Sequence, residues 1–326
     1  MRSKILSILR NQKGYVSGQE LCEKFGVSRT AVWKAINLLK EEGYEIEAVP
    51  NKGYHIVACP DVILAEEVKS RLQTKWVGKD VKYFEMINST NTKAKQLAEE
   101  GASHGTLVIA DEQNRGKGRR GRQWNTPPGT AIAMTLVVRP QMRPEKVSML
   151  TLIMGLAVAS ACNQLPGVHS GIKWPNDIIV DGKKICGILT EMSAELNAIH
   201  YLVIGVGINV NMLSFPEDIK DIATSLALIT GRKVNRAEVI QLCMQYFEKY
   251  YEEFQKTEDM SVLMEPYNKL LVNCGQEVRV LEPGNEYTGI SMGINEQGRL
   301  LVKKEDNTLE AVYSGEVSVR GIYGYL

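Results

Sequence analysis

The stretch that most restricts how this chain can fold is Arg115 to Trp124, RGKGRRGRQW. Three glycines (Gly116, Gly118, Gly121) alternate with five cationic side chains (Arg115, Lys117, Arg119, Arg120, Arg122), and an indole closes the run. Glycine lets the backbone approach a ligand closely and take up positive φ. Clustered guanidiniums grip phosphate or carboxylate through charge-assisted hydrogen bonds. The run reads as a mobile loop that folds over an anion. Its glycines also match the spacing of a dinucleotide fingerprint, but such a loop opens a helix whose N-terminus holds the pyrophosphate. Here Gln123-Trp124-Asn125-Thr126-Pro127-Pro128-Gly129 comes next, which cannot start one. A dinucleotide fold is therefore set aside. The duller alternative is a solvated basic loop.

At 326 residues the chain is long for one core, and two or three domains are expected. A net charge of +1 requires any nucleic-acid site to be a local patch. The longest apolar run, near Leu150 to Ala161, carries Thr151 and Ser160 and is shorter than the roughly 18–20 residues of a membrane span. The start, MRSKILSILRNQ, has an apolar stretch that ends at Arg10, unlike a signal peptide. Six cysteines lie far apart with no C-x-x-C pair, and the four histidines are scattered. That pattern fits reduced thiols in a cytoplasmic protein without a structural metal site.

The first sixty residues read as one module. Ile5, Leu6, Ile8 and Leu9 predict a first helix, and Leu21, Cys22 and Phe25 a second, closed by Gly26. Ser28 is a good N-cap for a third helix through Val32, Ile36 and Leu39. An alternating run at 44–49, a turn at Pro50-Asn51-Lys52-Gly53 and a returning run at 54–57 predict a hairpin. Helix-turn-helix followed by a hairpin is a winged helix. Ser28, Arg29, Thr30, Trp33 and Lys34 on the third helix, and Lys52 at the wing tip, are the candidate DNA contacts. From Met1 to Pro60 nine Lys and Arg oppose six Glu, a net +3 that predicts weak binding unless the protein dimerises. The alternative for this module is protein interaction.

From about Ala65 to Phe254 strands alternate with long helices. Ser89-Thr90-Asn91 opens a helix, 106–110 and 130–138 are strands, and an apolar helix runs from Pro144-Glu145 to about Leu165. Then come Lys173-Trp174-Pro175-Asn176-Asp177, a hairpin around Asp181-Gly182, and a strand at 201–210 interrupted by Gly205 and Gly207. Glycines inside a strand mark close approach by another group. Asn235 and Glu238 form a capping box for a helix through Tyr250. From Gly275 onward, five short strands (277–281, 287–291, 300–303, 309–312, 317–320) predict a small barrel.

The order Ser89-Thr90-Asn91, the basic glycine loop ending in Trp124, KWPND at 173–177, Lys184 and GVGIN at 205–209 resembles the biotin protein ligases. With the winged helix in front, the whole chain resembles the bifunctional form, which is also the biotin operon repressor. The implied fold class is α+β and multidomain. It comprises an N-terminal winged helix-turn-helix over 1–62, a central mixed-sheet α/β biotin/ATP catalytic domain over 63–270, and a small SH3-like β-barrel over 271–326. One departure is visible. The family loop usually reads GRGRRGR, and Lys117 stands where its first arginine falls, keeping the charge but losing the bidentate fork.

The resemblance implies a two-step reaction. The biotin carboxylate attacks the α-phosphate of ATP to give biotinyl-5′-AMP, and a carrier lysine then takes the biotin and releases AMP. Joining two anions calls for positioned cations and Mg²⁺. By resemblance, Ser89, Thr90, Asn91, Gln113, Lys117, Gly118, Arg119 and Lys184 bind biotin. Arg119, Arg120, Arg122, Trp124, Lys173, Asn176 and Asn209 bind ATP or the adenylate. Lys184, Asp177, Arg119 and Arg120 carry catalysis. Asp177 either holds Mg²⁺ or orients the acceptor lysine. Ser89 has a helix cap as its alternative, Asp177 a turn residue, and Trp174 belongs to the core. The implied partners are biotin carboxyl carrier domains of acetyl-CoA carboxylase and pyruvate carboxylase, biotin operator DNA, and a second copy of the chain, with no membrane. Two other functions share parts of the pattern. A lipoyl or octanoyl ligase is disfavoured by the basic loop and KWPND, and a non-enzymatic ligand-sensing repressor by the density of cations in one loop.

Overall fold

The computed structural model describes residues 1–195, 198–282, 285–313 and 318–321. The N-terminal module forms as expected. Helices α1 (Arg2–Asn11), α2 (Gly18–Phe25) and α3 (Arg29–Glu41) are followed by an antiparallel hairpin of β1 (Glu45–Val49) and β2 (Gly53–Ala58). Ser17 accepts from the Glu20 amide at 3.0 Å and Ser28 from the Ala31 amide at 3.2 Å. Each such cap is worth about 1 kcal/mol. Gly26 ends α2 at φ 63°, where a β-carbon would be strained. Ile5, Leu9, Leu21, Ile36, Leu39 and Ile46 make a core of their own.

A helix that the sequence pattern does not announce, α4 (Ala65–Arg71), comes next. Its Glu67 is fully buried and receives Arg10 through two contacts of 2.9 Å, the Tyr44 hydroxyl at 2.7 Å and Arg71 at 2.6 Å. Seven residues are too few for helical periodicity to declare itself, and a buried glutamate breaks the apolar pattern. This carboxylate ties the winged helix to α4.

The central sheet is built from β3 (Val81–Ile87), β4 (Leu107–Gln113), β5 (Ala131–Val138), β6 (Gly171–Lys173), β7 (Asp177–Val180), β8 (Lys183–Glu195) and β9 (Ala198–Asn209). The strand order is β3-β4-β5-β9-β8-β7-β6; β3 and β4 are parallel and the remaining pairs antiparallel. Strand β8 is long because it stays paired with β9 as far as Glu195 opposite Ala198. The Asp181-Gly182 hairpin is present, with both residues at positive φ as its tight turn requires.

Side chains alternate across this sheet. Ile132, Met134, Leu136, Ile204, Val206 and Ile188 face a core shared with α6 (Val147–Cys162) and α8 (Arg236–Thr257). Helix α6 stops at Cys162 rather than near Leu165, and α8 runs beyond Tyr250 to Thr257. The stretch Pro144–Cys162 is long and apolar enough to cross a bilayer, but 72% of its most apolar window is buried, as in a core helix. On the opposite face, Val137 and Val203 pack with Ala94 and Ala98 of α5 (Thr90–Glu99). Gly205, Gly207 and Asn209 continue from Val203 on that same face.

Two short helices, α7 (Leu226–Thr230) and α9 (Met264–Leu270), complete the middle of the chain. The last strands are β10 (Glu277–Glu282), β11 (Asn285–Ile294), β12 (Leu300–Lys303), β13 (Leu309–Val312) and β14 (Ser318–Gly321). They form an antiparallel sheet in the order β13-β12-β11-β10-β14, in line with the expected small β domain. Val278, Val280, Leu300 and Val302 join the core of the central sheet. Trp174, 2% exposed, is a core residue as expected and donates to the Gly298 carbonyl at 3.2 Å. Val317, the first residue of the last expected strand, lies outside the described residues.

Candidate active site

The site lies on the sheet face that carries Gly205 and Gly207. Three glycines form its floor, since Gly187 on β8 pairs with Gly207 on β9, and Leu189 pairs with Gly205. A β-carbon on Gly205 would come within 2.1 Å of Asn91 Oδ1, and one on Gly207 within 2.5 Å of the Trp124 ring. The two interruptions seen in β9 thus admit one carboxamide and one indole. On Gly187 a β-carbon would meet Lys184 Nζ at 3.0 Å.

At one end of this floor, Ser89, Thr90 and Asn91 are all buried at the start of α5. Ser89 caps the helix, its hydroxyl accepting the Thr92 amide at 3.5 Å. Gln113 Oε1 accepts the Thr90 amide at 2.8 Å and lies 3.1 Å from the Thr90 hydroxyl, while Gln113 Nε2 donates to the Trp124 carbonyl at 3.3 Å. Asn91 Nδ2 donates to Glu191 at 2.8 Å and to the Leu189 carbonyl at 3.2 Å. Thr135 Oγ1 lies 2.7 Å from Asn91 Oδ1 and 2.8 Å from Thr90 Oγ1. The result is a mostly buried and mostly neutral hydrogen-bonding cluster.

At the other end the charges gather. Lys184 Nζ meets Asp177 Oδ1 at 2.5 Å, and Arg119 donates to Asn176 Oδ1 at 2.9 Å. Burial pushes the Arg119 guanidinium below its ordinary pKa and Arg120 adds to this, while Asp177 acts the other way. Lys173 is 6% exposed beneath them. Asn176 donates to the Ile188 carbonyl at 3.1 Å, which fixes its amide so that Oδ1 faces Arg119. Asn209 donates to the Thr224 carbonyl at 3.1 Å, and Thr224 in turn hydrogen-bonds through its amide to the Lys184 carbonyl at 2.9 Å.

The basic loop is folded rather than open. Gly118 N donates to the Arg122 carbonyl at 2.7 Å, Trp124 N to the Gly116 carbonyl at 2.9 Å, and Lys117 bridges Gln123. Arg120 sits at its tip with φ 57°. Arg119 turns inward, whereas Lys117, Arg120 and Arg122 are exposed. The structure therefore brings together Thr90, Asn91, Gln113, Trp124, Arg119, Asn176, Asp177 and Lys184, and leaves Arg122 on the outer side. Among the described residues no cluster of three or more His, Cys, Asp or Glu side chains offers a metal cage.

Sequence reasoning missed Thr135, Gly187 and Glu191. Thr135 had a signal, as the lone polar residue in the strand AIAMTLVV. Gly187, Leu189 and Glu191 share one face by the two-residue period, but that face is identified only once β8 is known to be interior to the sheet.

On the winged helix, Ser28, Arg29, Thr30, Trp33 and Lys34 are exposed, with Trp33 at 56%. Arg29 and Lys52 line one groove of about 440 Å³ between α2, α3 and the wing, together with Gln19 and Asn51.

Three family models match consecutive parts of the chain: an HTH domain over residues 2–55, the biotin/lipoate A/B protein ligase family over 83–209, and the biotin protein ligase C-terminal domain over 274–320. The bifunctional ligase/repressor BirA of Bacillus subtilis is 38% identical over 94% of each chain. The chain belongs to the biotin protein ligase family. This ligase is also 29% identical to the bifunctional ligase/repressor BirA of Escherichia coli, over 97% of its own length and 96% of that protein. Among solved structures, the biotin protein ligase of Aquifex aeolicus in complex with biotin and ATP is 30% identical, with a TM-score of 0.65 over 74% of this ligase and 99% of that chain.

Proposed function

We propose that the chain condenses biotin with ATP to biotinyl-5′-AMP, transfers the biotin to a lysine of a carrier domain, and represses biotin-operon transcription when loaded with the adenylate. The observation that carries this reading is the folding of the basic loop back onto the sheet, with Arg119 on Asn176 beside the Lys184–Asp177 pair. A neutral cluster lies at one end of the floor and cations at the other, which suits a ligand with an uncharged head and an anionic tail.

In the first step a carboxylate oxygen of biotin attacks the α-phosphorus and pyrophosphate leaves. The Lys184 ammonium would bridge the carboxylate and the α-phosphate, and Arg119 would offset charge as it spreads over the phosphate oxygens. Thr90 and Gln113 would meet the ureido ring. The Trp124 indole, flat against Gly207, offers a stacking face for adenine. A single carboxylate such as Asp177 fits Mg²⁺ only where substrate phosphates supply further oxygens, which is how this ion is usually held. In the second step the carrier's ε-amine attacks the acyl carbon and AMP departs. Carrier domains of acetyl-CoA carboxylase and pyruvate carboxylase are the proposed acceptors. Closing of the loop on the adenylate would favour a homodimer that sets two winged helices on a two-fold operator.

The test is direct. Purified protein with biotin and Mg-ATP should release pyrophosphate and label a carrier domain, and lipoate should not replace biotin. Absence of turnover with biotin overturns the ligase reading.

A further inference from the structure

Resting on the repressor reading, the geometry points to Glu67 as a positioning residue for operator recognition: by receiving Arg10 it fixes the direction in which the winged helix projects from the catalytic module. No apolar core does this. Among the described residues, the core of the winged helix ends with Val62 and the core of the central sheet begins with Ile63. Beside Arg2 a crevice of about 510 Å³ lies open between α3 and α4, so close packing does not lock the modules there.

Polar contacts take over that task. Helix α4 belongs to the catalytic side, because Val68 is buried in the core of the central sheet. Its neighbour Glu67 faces the winged helix, where Arg10 near the C-terminal end of α1 meets both carboxylate oxygens at 2.9 Å. At the other end of α1, Arg2 reaches Glu66 at 2.8 Å. Two arginines separated by about 12 Å of helix therefore close on adjacent glutamates and bracket α4. Tyr44, just before the hairpin, adds its hydroxyl to Glu67 at 2.7 Å, so one carboxylate grips both α1 and the entrance to the wing. The Arg2–Glu66 pair, with side chains 31% and 36% exposed, is screened by solvent, and the fully buried Glu67 carries the restraint. The other tether is Asp61, which holds Arg236 three residues after β2 ends. One tether on the chain path acts as a pivot, and the grip on Glu67 opposes rotation about it. Hydrophobic contact is non-directional, whereas buried ion pairs hold register more than they add stability. In an adenylate-loaded dimer that register sets the distance and angle between two recognition helices, and so the half-site spacing that both can engage at once.

Glu67→Gln keeps the shape and removes the charge. Arg10→Met combined with Glu67→Leu replaces the pair by apolar side chains, a change that proteins usually tolerate without unfolding. The experiment uses the full-length protein with biotin and Mg-ATP. It measures by gel shift the dissociation constants for biotin-operon DNA and for the same DNA with two base pairs inserted between its half-sites, which moves them about 7 Å and 70° apart. The unsubstituted protein should lose roughly a hundredfold or more on the inserted DNA, because its two heads no longer engage together. In both variants that preference should narrow about tenfold or more, through weaker binding at the native spacing. Pyrophosphate release and carrier labelling should stay unchanged, since neither substitution touches the active site. Equal weakening on the two DNAs, or an unchanged preference, overturns the proposal. Equal affinity of the unsubstituted protein for the two spacings does the same. Should one variant not fold, the other decides. Failure of the unsubstituted, ligand-loaded protein to bind either DNA would instead remove the repressor reading itself.

Discussion

Arg236 donates to Asp111 at 2.6 Å while its Nε lies 3.2 Å from Asp61, so one buried guanidinium joins the strand before the basic loop to the segment after the winged helix. Asp111 Oδ2 in turn accepts the Gly129 amide at 3.2 Å, where the loop returns to the sheet. Asp61 also takes the Asn211 carboxamide at 3.0 Å, two residues past Asn209. Loop exit, linker and the end of β9 therefore share one charge cluster. Removing the cation would strand two carboxylates.

Arg236→Met is accordingly expected to cost about 3–5 kcal/mol, the usual penalty for breaking a buried pair from one side. Urea unfolding measures it as a lowered midpoint. A loss below about 1 kcal/mol would contradict the burial and pairing described for this residue.

Gly207→Ala tests the indole's seat. The added methyl would lie 2.5 Å from the Trp124 ring. Overpacking of this kind costs about 1–3 kcal/mol, so the KM for ATP should rise roughly tenfold or more as the ring is displaced. Biotin affinity, which depends on the Gly205 end of the floor, should change less. An unchanged ATP KM would separate Trp124 from nucleotide binding.

Arg119→Gly removes the inward-turned guanidinium that meets Asn176. Adenylate formation should be slowed but not abolished, since Lys184 remains, while biotinyl-AMP escapes and nearby lysines of a bystander protein become biotinylated. Retention of the adenylate at the unsubstituted level would separate Arg119 from holding the intermediate.

Stability should depend on His104. Its ring packs on Trp76 at 4.2 Å and accepts the Arg139 amide through Nδ1 at 3.0 Å, which requires that nitrogen to be unprotonated. Burial lowers its pKa from the ordinary 6.5, and the Arg139 charge adds to this. The unfolded chain therefore takes up the proton first as pH falls. The stabilisation is fully present above about 6.5, declines below it, and is gone once pH has dropped through the lowered folded-state value. Thermal melts across pH 5–8 should show this decline, and His104→Gln should flatten it. A melt profile identical in the two proteins would exclude His104 as its source.

Much of this was legible in the sequence because local chemistry fixes it. Ser28 caps the helix that its position implied, Asp181-Gly182 turns its hairpin, and Asn235 caps α8 by accepting the Glu238 amide at 3.0 Å. The site was legible as separate motifs, because KWPND, the loop and GVGIN each need unusual residues in a fixed order. What no motif contains is the order of strands. Glu191 and Gly187 gain meaning only once β8 lies between β9 and β7, and Thr135 once β5 lies beside β9. Helix α4 was hidden for another reason, since its buried Glu67 is neutralised by Arg10, distant in sequence.

Closure of the loop at 115–124 on the adenylate is proposed to serve both retention of the intermediate and repression, and operator binding reports on the second of these. Gel-shift titration of biotin-operon DNA should show tight binding only when biotin and Mg-ATP are both present, and weak binding with either alone. Equal affinity with and without the two ligands would separate operator binding from the adenylate.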